Sequence, residues 1–178
     1  PELHFRLERE RLETRPMKGT RRRGRWLEED RAEAEALAGS EKDRAENVMI
    51  VDLLRNDMGR ISEVGSVEVA RLFEAERYET VWQMTSTVIS RTRAPVPAIL
   101  GALFPSGSVT GAPKVRTMQI IREVEPHPRG VYCGSIGRWL PGRRAEFSVA
   151  IRTAVVDAST ARARYSVGGG ITWGSTPG

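Results

Sequence analysis

Between Pro105 and Gly137 the chain reads PSGSVTGAPKVRTMQIIREVEPHPRGVYCGSIG. Its first half is a glycine-rich loop that runs into Pro113 and then into an amphipathic segment. Proline suits the first helical position, because its missing N–H had no partner there anyway. Such a loop presents free backbone N–H groups at a helix N-terminus, where an anion is welcome. It is not a phosphate-cradling P-loop, because GSVTGAPK lacks the GxxxxGK spacing followed by Ser or Thr. Two other patterns bring charge to apolar surroundings. On a helix, Glu46 shares a face with Ile50, Leu53 and Asp57. A carboxylate at the head of an apolar stripe is costly unless it is paired or bound to a metal. On a strand, Phe147, Val149, Ile151 and Val155 share one face, and Ser148, Ala150, Arg152 and Ala154 the other. Small residues around one arginine leave room for a ligand, and a guanidinium can hold a carboxylate bidentately. An ordinary edge-strand arginine fits the same pattern.

The elements that must position these groups can be read from caps and turns. Leu3 to Arg15 reads as two strands with a turn near Arg9–Arg11, and Glu28 to Ala38 as an exposed helix ended by Gly39. Ser40, followed by Asp43, reads as an N-cap with an acidic first turn. The helix it opens runs to about Met58 and stops at Gly59. Ile61–Glu68 and Tyr78–Ile89 read as strands. Ala94-Pro95-Val96-Pro97 opens a helix ending near Phe104, and helix Lys114–Glu125 stops at Pro126. Val131–Leu140, Ala145–Val156 and Ala161–Val167 read as strands joined at Pro141-Gly142 and Asp157-Ala158-Ser159. Helices and strands mix without regular alternation, which argues for α+β rather than a doubly wound sheet. Trp26, Trp82, Trp139 and Trp173 read as core rather than as cofactor-stacking residues.

The 178 residues allow one domain with a sizeable core. No apolar run is long enough to span a membrane, no signal peptide is visible, and a single Cys133 makes no internal disulfide, which together favour a cytoplasmic protein. The net charge of +5 raises nucleic-acid binding as a reading. Outside Arg21-Arg22-Arg23-Gly24-Arg25 the basic residues are spread out, aromatics are few and no nucleic-acid motif is present. The run therefore reads as a solvated arginine-rich face.

The Pro105–Gly137 stretch closely resembles the chorismate-utilising enzymes, a family that includes anthranilate, aminodeoxychorismate, isochorismate and salicylate synthases. Four further segments resemble that family in the same order: PELHFRLERERLETRPMKGTR at 1–21, ENVMIVDLLRNDMGR at 46–60, FSVAIRT at 147–153 and GGGI at 168–171. The resemblance implies two packed antiparallel sheets with outer helices and an active site between the layers. Residues 1–178 would be part of a single chorismate-binding catalytic domain, with a long region before Pro1 and a glutamate-bearing helix after Gly178.

Roles follow from the resemblance residue by residue. Lys18, which by type alone is a surface lysine before a tight turn, falls where aminodeoxychorismate synthases carry lysine and anthranilate and isochorismate synthases carry alanine. In that subfamily the lysine amine attacks ring carbon 2 of chorismate as the 4-hydroxyl leaves, and ammonia from a glutamine amidotransferase then attacks carbon 4 and expels it. Glu2, otherwise a solvated terminal residue, would be the general acid for the departing hydroxyl, which needs a carboxyl held neutral by burial. Gly19 and Thr20 would contact the substrate carboxylate. Glu46 would hold magnesium, with Asp43 a ligand through water; by pattern Asp43 is also a first-turn acid favoured by the helix dipole. Arg152 and Tyr132 would bind the enolpyruvyl carboxylate. Thr110, Gly111 and Lys114 would complete the anion loop, and Gly168, Gly169 and Gly170 would let backbone approach the substrate. Lys114 fits an exposed helix position equally well. Asp52, Arg55 and Asp57 read as structural ion pairs and a cap. Two departures stand out: Gln83 replaces a common histidine, and Gly174 and Thr176 replace acids of the family pattern. The chain by itself is therefore expected to lack a complete magnesium site and full activity. Besides 4-amination, the resemblance leaves room for an anthranilate synthase and for an inactive chorismate-binding homologue.

Overall fold

A computed structural model of the chain describes residues 2–173 and 175. Strand β1 (Leu3–Glu8) turns through Arg9 into β2 (Arg11–Arg15), and both pair antiparallel. Pro16 interrupts that line, since it has no N–H to give a ladder. The chain then resumes as β3 (Met17–Arg22). Both β2 and β3 lie along one side of β5 (Val81–Arg91), with Leu12 opposite Ser90 and Thr20 opposite Gln83. On its other side β5 pairs with β4 (Glu68–Arg77). Beyond β1 come β7 (Arg144–Val149) and the edge strand β6 (Ser135–Leu140). These seven strands form one antiparallel sheet, and β8 (Ala154–Asp157) with β9 (Arg162–Tyr165) forms a separate two-stranded one. The fold is thus α+β with antiparallel sheets.

Among the described residues five helices complete it: α1 (Leu27–Ala38), α2 (Glu41–Gly59), α3 (Val96–Leu103), the single turn α4 (Gly107–Thr110) and α5 (Lys114–Val124). None of those described is long and apolar enough to cross a membrane. Helix α2 starts as its cap requires, with Ser40 Oγ accepting from the Asp43 N–H at 3.3 Å. Its inner stripe is Ile50, Val51, Leu54 and Met58, which packs with Val96, Ile99 and Leu103 of α3 on Phe5, Leu7, Leu12 and Val88 of the sheet. The stripe lies one residue round from the Ile50–Leu53 face expected by periodicity. Leu53 instead meets α4, where a Cβ at Gly107 would collide with it.

Several expected boundaries move. Ile61–Val67 is turn and coil, and the strand forms later, as β4. Two register shifts in β4, with Phe73 at φ 58°, break the alternation that would have marked it. Strand β3 carries Gly19 at φ 88° and a register shift, so six largely polar residues hide a strand. Residues 131–133 are a turn before β6, and the expected strand Ala145–Val156 is split. Arg152 lies in that break at φ 52°, so the face alternation stops at Val149. Pro113 is the N-cap of α5 rather than its first helical residue.

The arginine run forms an exposed face, as expected, and three of its arginines are also ion-paired. Arg21 meets Glu33 at 3.3 Å, Arg22 meets Glu29 at 3.2 Å and Arg23 meets Asp30 at 2.6 Å, so α1 is clamped to β3. Asp30 also accepts from Gly24 N and Trp82 Nε1, both at 2.9 Å. The Arg23 guanidinium holds its carboxyl well below the usual carboxylate range. Trp82 is half-buried by this contact, whereas Trp26, Trp139 and Trp173 are exposed. Trp139 stands on the edge strand β6, where no further strand covers it among the described residues.

Candidate functional site

A cavity of about 860 Å³ opens where β3, α2, α4, α5 and the segments after β7 and β9 converge. Glu2, Lys18, Glu46, Thr110, Gly111, Tyr132, Arg152 and the three glycines 168–170 all face it. They come from segments up to 168 positions apart in the chain, so only the tertiary fold gathers them.

Glu2 is set by backbone pairing, its carbonyl accepting from Val149 N at 2.9 Å. It is 5% exposed, which rules out a frayed terminal residue. Burial pushes its carboxyl up to about 7, against hydrogen bonding to Ser108 and the charges of Lys18 and Arg152. A carboxylic acid that titrates there can give and take a proton near neutral pH. Lys18, on β3, donates from Nζ to the Ser108 carbonyl at 3.0 Å. A Cβ placed on Gly170 would lie 3.8 Å from both Lys18 Nζ and Glu46 Oε2, so the last glycine of the triplet borders the space these two groups share. A Cβ on Gly168 would strike the Tyr132 hydroxyl. Burial raises the Tyr132 phenol.

Arg152 reaches the cavity from a left-handed backbone conformation, which costs a non-glycine residue of order 1–3 kcal/mol and collects at functional sites. Among the described residues neither Lys18 nor Arg152 forms a salt bridge, so both charges are available to an anion. Arg129 is different: it grips Glu125 at 2.6–3.2 Å, donates to the Val109 carbonyl at 2.7 Å and lies over the Tyr132 ring at 5.9 Å. It holds the wall of the cavity in shape. Beyond that wall lies a second, more apolar cavity of about 570 Å³, with Thr110, Tyr132 and Cys133 facing both.

Four expected residues lie elsewhere. Thr20 donates to Gln83 Oε1 at 3.0 Å, and Gln83 Nε2 donates to the Gly19 carbonyl at 2.7 Å, so Gln83 occupies the Thr20 hydroxyl and the Gly19 carbonyl. Asp43 packs on Gly19, where an added Cβ would lie 2.9 Å from its Cβ and Cγ. Lys114 donates to Asp57 and, at 3.3 Å, to the Leu103 carbonyl, which ties α5 to α2 and α3. Asp57 thus has the ion-pair role expected of it, as does Asp52 with Arg55 at 3.1 Å.

The side chains of Lys114 and Asp57 are only 14% and 5% exposed. Lys114→Ala would leave a buried carboxylate uncompensated and is expected to cost about 3–5 kcal/mol of stability. Urea unfolding should show this loss, and the double variant Lys114→Ala, Asp57→Asn should recover part of it. A lysine that served only the substrate would instead leave the unfolding midpoint in place.

Among the described residues no three His, Cys, Asp or Glu side chains lie together as metal ligands. Glu46 brings one carboxylate to the cavity, with Thr172 Oγ1 at 3.5 Å. Magnesium takes six oxygens, several of them often water. The described residues do not fit that ion by themselves. Gly174 and Thr176, the positions that depart from the acidic pattern, lie outside the described residues.

Ser108 and Arg129 are site residues that residue-type patterns alone do not single out. Ser108 sits in the quoted GSVTG loop, but a serine among glycines reads as loop composition. Only the Lys18 bond to its carbonyl, on the wall of the cavity, brings it into the site.

A family model described as chorismate binding enzyme matches residues 1–178. An aminodeoxychorismate synthase from Streptomyces griseus is 52% identical over 175 residues, 96% of this chain and 24% of that protein. Anthranilate synthase component 1 from Aquifex aeolicus is 49% identical over 157 residues, 87% of this chain and 32% of that protein. The crystal structure of anthranilate synthase component I from Streptococcus pneumoniae TIGR4 matches with a TM-score of 0.77 and 39% identity, over 86% of this chain and 34% of that one. The chain therefore spans roughly a quarter to a third of the length of these relatives.

Proposed function

The chain belongs to the chorismate-binding enzyme family, and we propose that it is the chorismate-converting part of an aminodeoxychorismate synthase. The reaction joins chorismate and ammonia to give 4-amino-4-deoxychorismate and water. One observation carries the choice within the family: a lysine, Lys18, stands in the cavity beside a buried carboxylic acid, Glu2. The Lys18 amine would form a bond to ring carbon 2 as the carbon–oxygen bond at carbon 4 breaks. Glu2 would give its proton to the departing oxygen, so that water leaves. Ammonia would then bond to carbon 4 as the bond to Lys18 breaks and the amine is regenerated. Arg152, which lines the same cavity, would bind one of the two carboxylates of such a substrate.

The ammonia would come from a glutamine amidotransferase, separate or fused, and the product would feed 4-aminobenzoate and folate synthesis in the cytoplasm. If magnesium takes part, Glu46 would give it one oxygen and other donors would have to complete the site. The 49% identity to an anthranilate synthase component favours a second reading, amination at carbon 2. Incubating the protein with chorismate, ammonia and magnesium, with products resolved by chromatography, separates the two. The expected product is 4-amino-4-deoxychorismate. Anthranilate would overturn the lysine-based choice, and chorismate binding without product would identify a binding-only homologue.

A further inference from the structure

Lys18 stands at a fault in the β3–β5 ladder. Met17 pairs with Thr85 and Thr20 with Gln83, so Lys18 and Gly19 together oppose Met84 alone. Gly19 takes up the extra residue at φ 88°, a conformation that glycine adopts without strain. This bulge has two supports. Asp43 of α2 packs on Gly19, where a Cβ would lie 2.9 Å from the Asp43 Cβ. Gln83, only 5% exposed, donates from Nε2 to the Gly19 carbonyl at 2.7 Å and accepts at Oε1 from the Thr20 hydroxyl at 3.0 Å. Met17 and Lys18 line the cavity, whereas Gln83 is not in its lining.

We propose that Gln83 is a positioning residue for Lys18: its amide fixes the Gly19 bulge, and through it the direction in which the lysine enters the cavity. Bulges re-aim side chains next to active sites. This one asks for a donor to a carbonyl and an acceptor for a hydroxyl on a single uncharged group. A primary amide supplies both, and the two contacts settle which way round it lies. A carboxylate would bring no donor to the Gly19 carbonyl, and an apolar side chain would take away the partner of both groups. Among the described residues the Lys18 amine has one hydrogen bond, to the Ser108 carbonyl at 3.0 Å. A long side chain with one such contact is directed chiefly by the backbone it leaves, and Gln83 holds that backbone.

The role rests on the reading of Lys18 as the amine that bonds to substrate, but the deciding measurement does not need turnover. Gln83→Met keeps the length of the side chain and loses both bonds. Crystal structures of the full-length protein should show the Lys18 Nζ–Ser108 carbonyl contact in wild type and its opening beyond about 3.5 Å in the variant. An unmoved lysine in Gln83→Met would overturn the proposal. In turnover of chorismate with free ammonia, kcat should fall about 10²-fold, as a misplacement of about 1 Å can bring, with KM little changed. Added to Lys18→Ala, Gln83→Met should cost nothing further, because it acts through the lysine. The same loss in that background would mean general damage and would also overturn the proposal. If Gln83→Met does not fold, Gln83→Glu keeps the shape and the acceptor for Thr20 but as a carboxylate has no donor for Gly19. It must then displace the lysine too, or the proposal fails. A displaced lysine in a protein that makes no product would uphold the Gln83 role and count against the activity, so the two can fail separately.

Discussion

Replacing Lys18 by alanine is expected to lower ammonia-dependent conversion of chorismate by on the order of 10³-fold or more. The amine sits 3.0 Å from the Ser108 carbonyl, facing the same cavity as Glu2 and Glu46. An amine there can act in two ways. It can bond covalently to the substrate, or it can lend its charge to a carboxylate. Lys18→Arg separates them. Arginine keeps the charge and gains donors, yet its guanidinium stays protonated and makes a poor nucleophile. If Lys18 bonds to the ring, the arginine variant should be about as inactive as the alanine one. If Lys18 only binds, Lys18→Arg should keep most of kcat, and Lys18→Ala should show its loss mainly in KM. Full kcat in Lys18→Ala with free ammonia would exclude the covalent role.

Much of this frame can be read in the sequence where a local rule decides. Ser40 caps α2, Gly39 closes α1, and Pro126 stops α5 because those effects are local. The hairpin at Pro141-Gly142 is of the same kind. Strands β3 and β4 escape because register shifts and residues in the left-handed region destroy period-two alternation. Arg152 shows the same limit from the other side: its neighbours alternate well in sequence, but the backbone turns at this residue and the strand ends. The cavity is less legible still. Nothing local ties Glu2 to Gly170, and only the resemblance to a family puts them in one list. Lys114 marks where that guide and the geometry part. Its place in the glycine loop suggests an anion, but Asp57 on a distant helix already holds it. The pairing of RRRGR with α1 is equally a tertiary fact, since a run of arginines carries no mark of its partners.

Glu2→Gln should separate catalysis from stability in opposite directions. Glutamine keeps the size and hydrogen-bonding capacity of the acid but cannot give up a proton. Loss of a general acid typically costs 10²–10⁴-fold, so kcat should fall by about that much. The wild-type rate should decline above about pH 7 as the acid loses its proton, and this limb should be absent from the residual activity of Glu2→Gln. Stability should respond the other way. In the folded protein Glu2 keeps its proton to about pH 7, whereas its ordinary value is 4.5. The stability that goes with the protonated form is therefore fully present below pH 4.5 and is lost as pH rises through 7. By pH 8 the charged, buried carboxylate leaves the wild-type fold less stable by on the order of 3 kcal/mol. Glu2→Gln carries no charge to bury, so it should be the more stable protein at pH 8, while the two should converge near pH 4.5. Denaturation at both pH values measures this. Equal stability at pH 8 would mean that Glu2 is not desolvated, and the case for its acid role would go with it. A carboxyl that lowers stability at neutral pH and yet stands beside Lys18 is best accounted for by the proton it can deliver there.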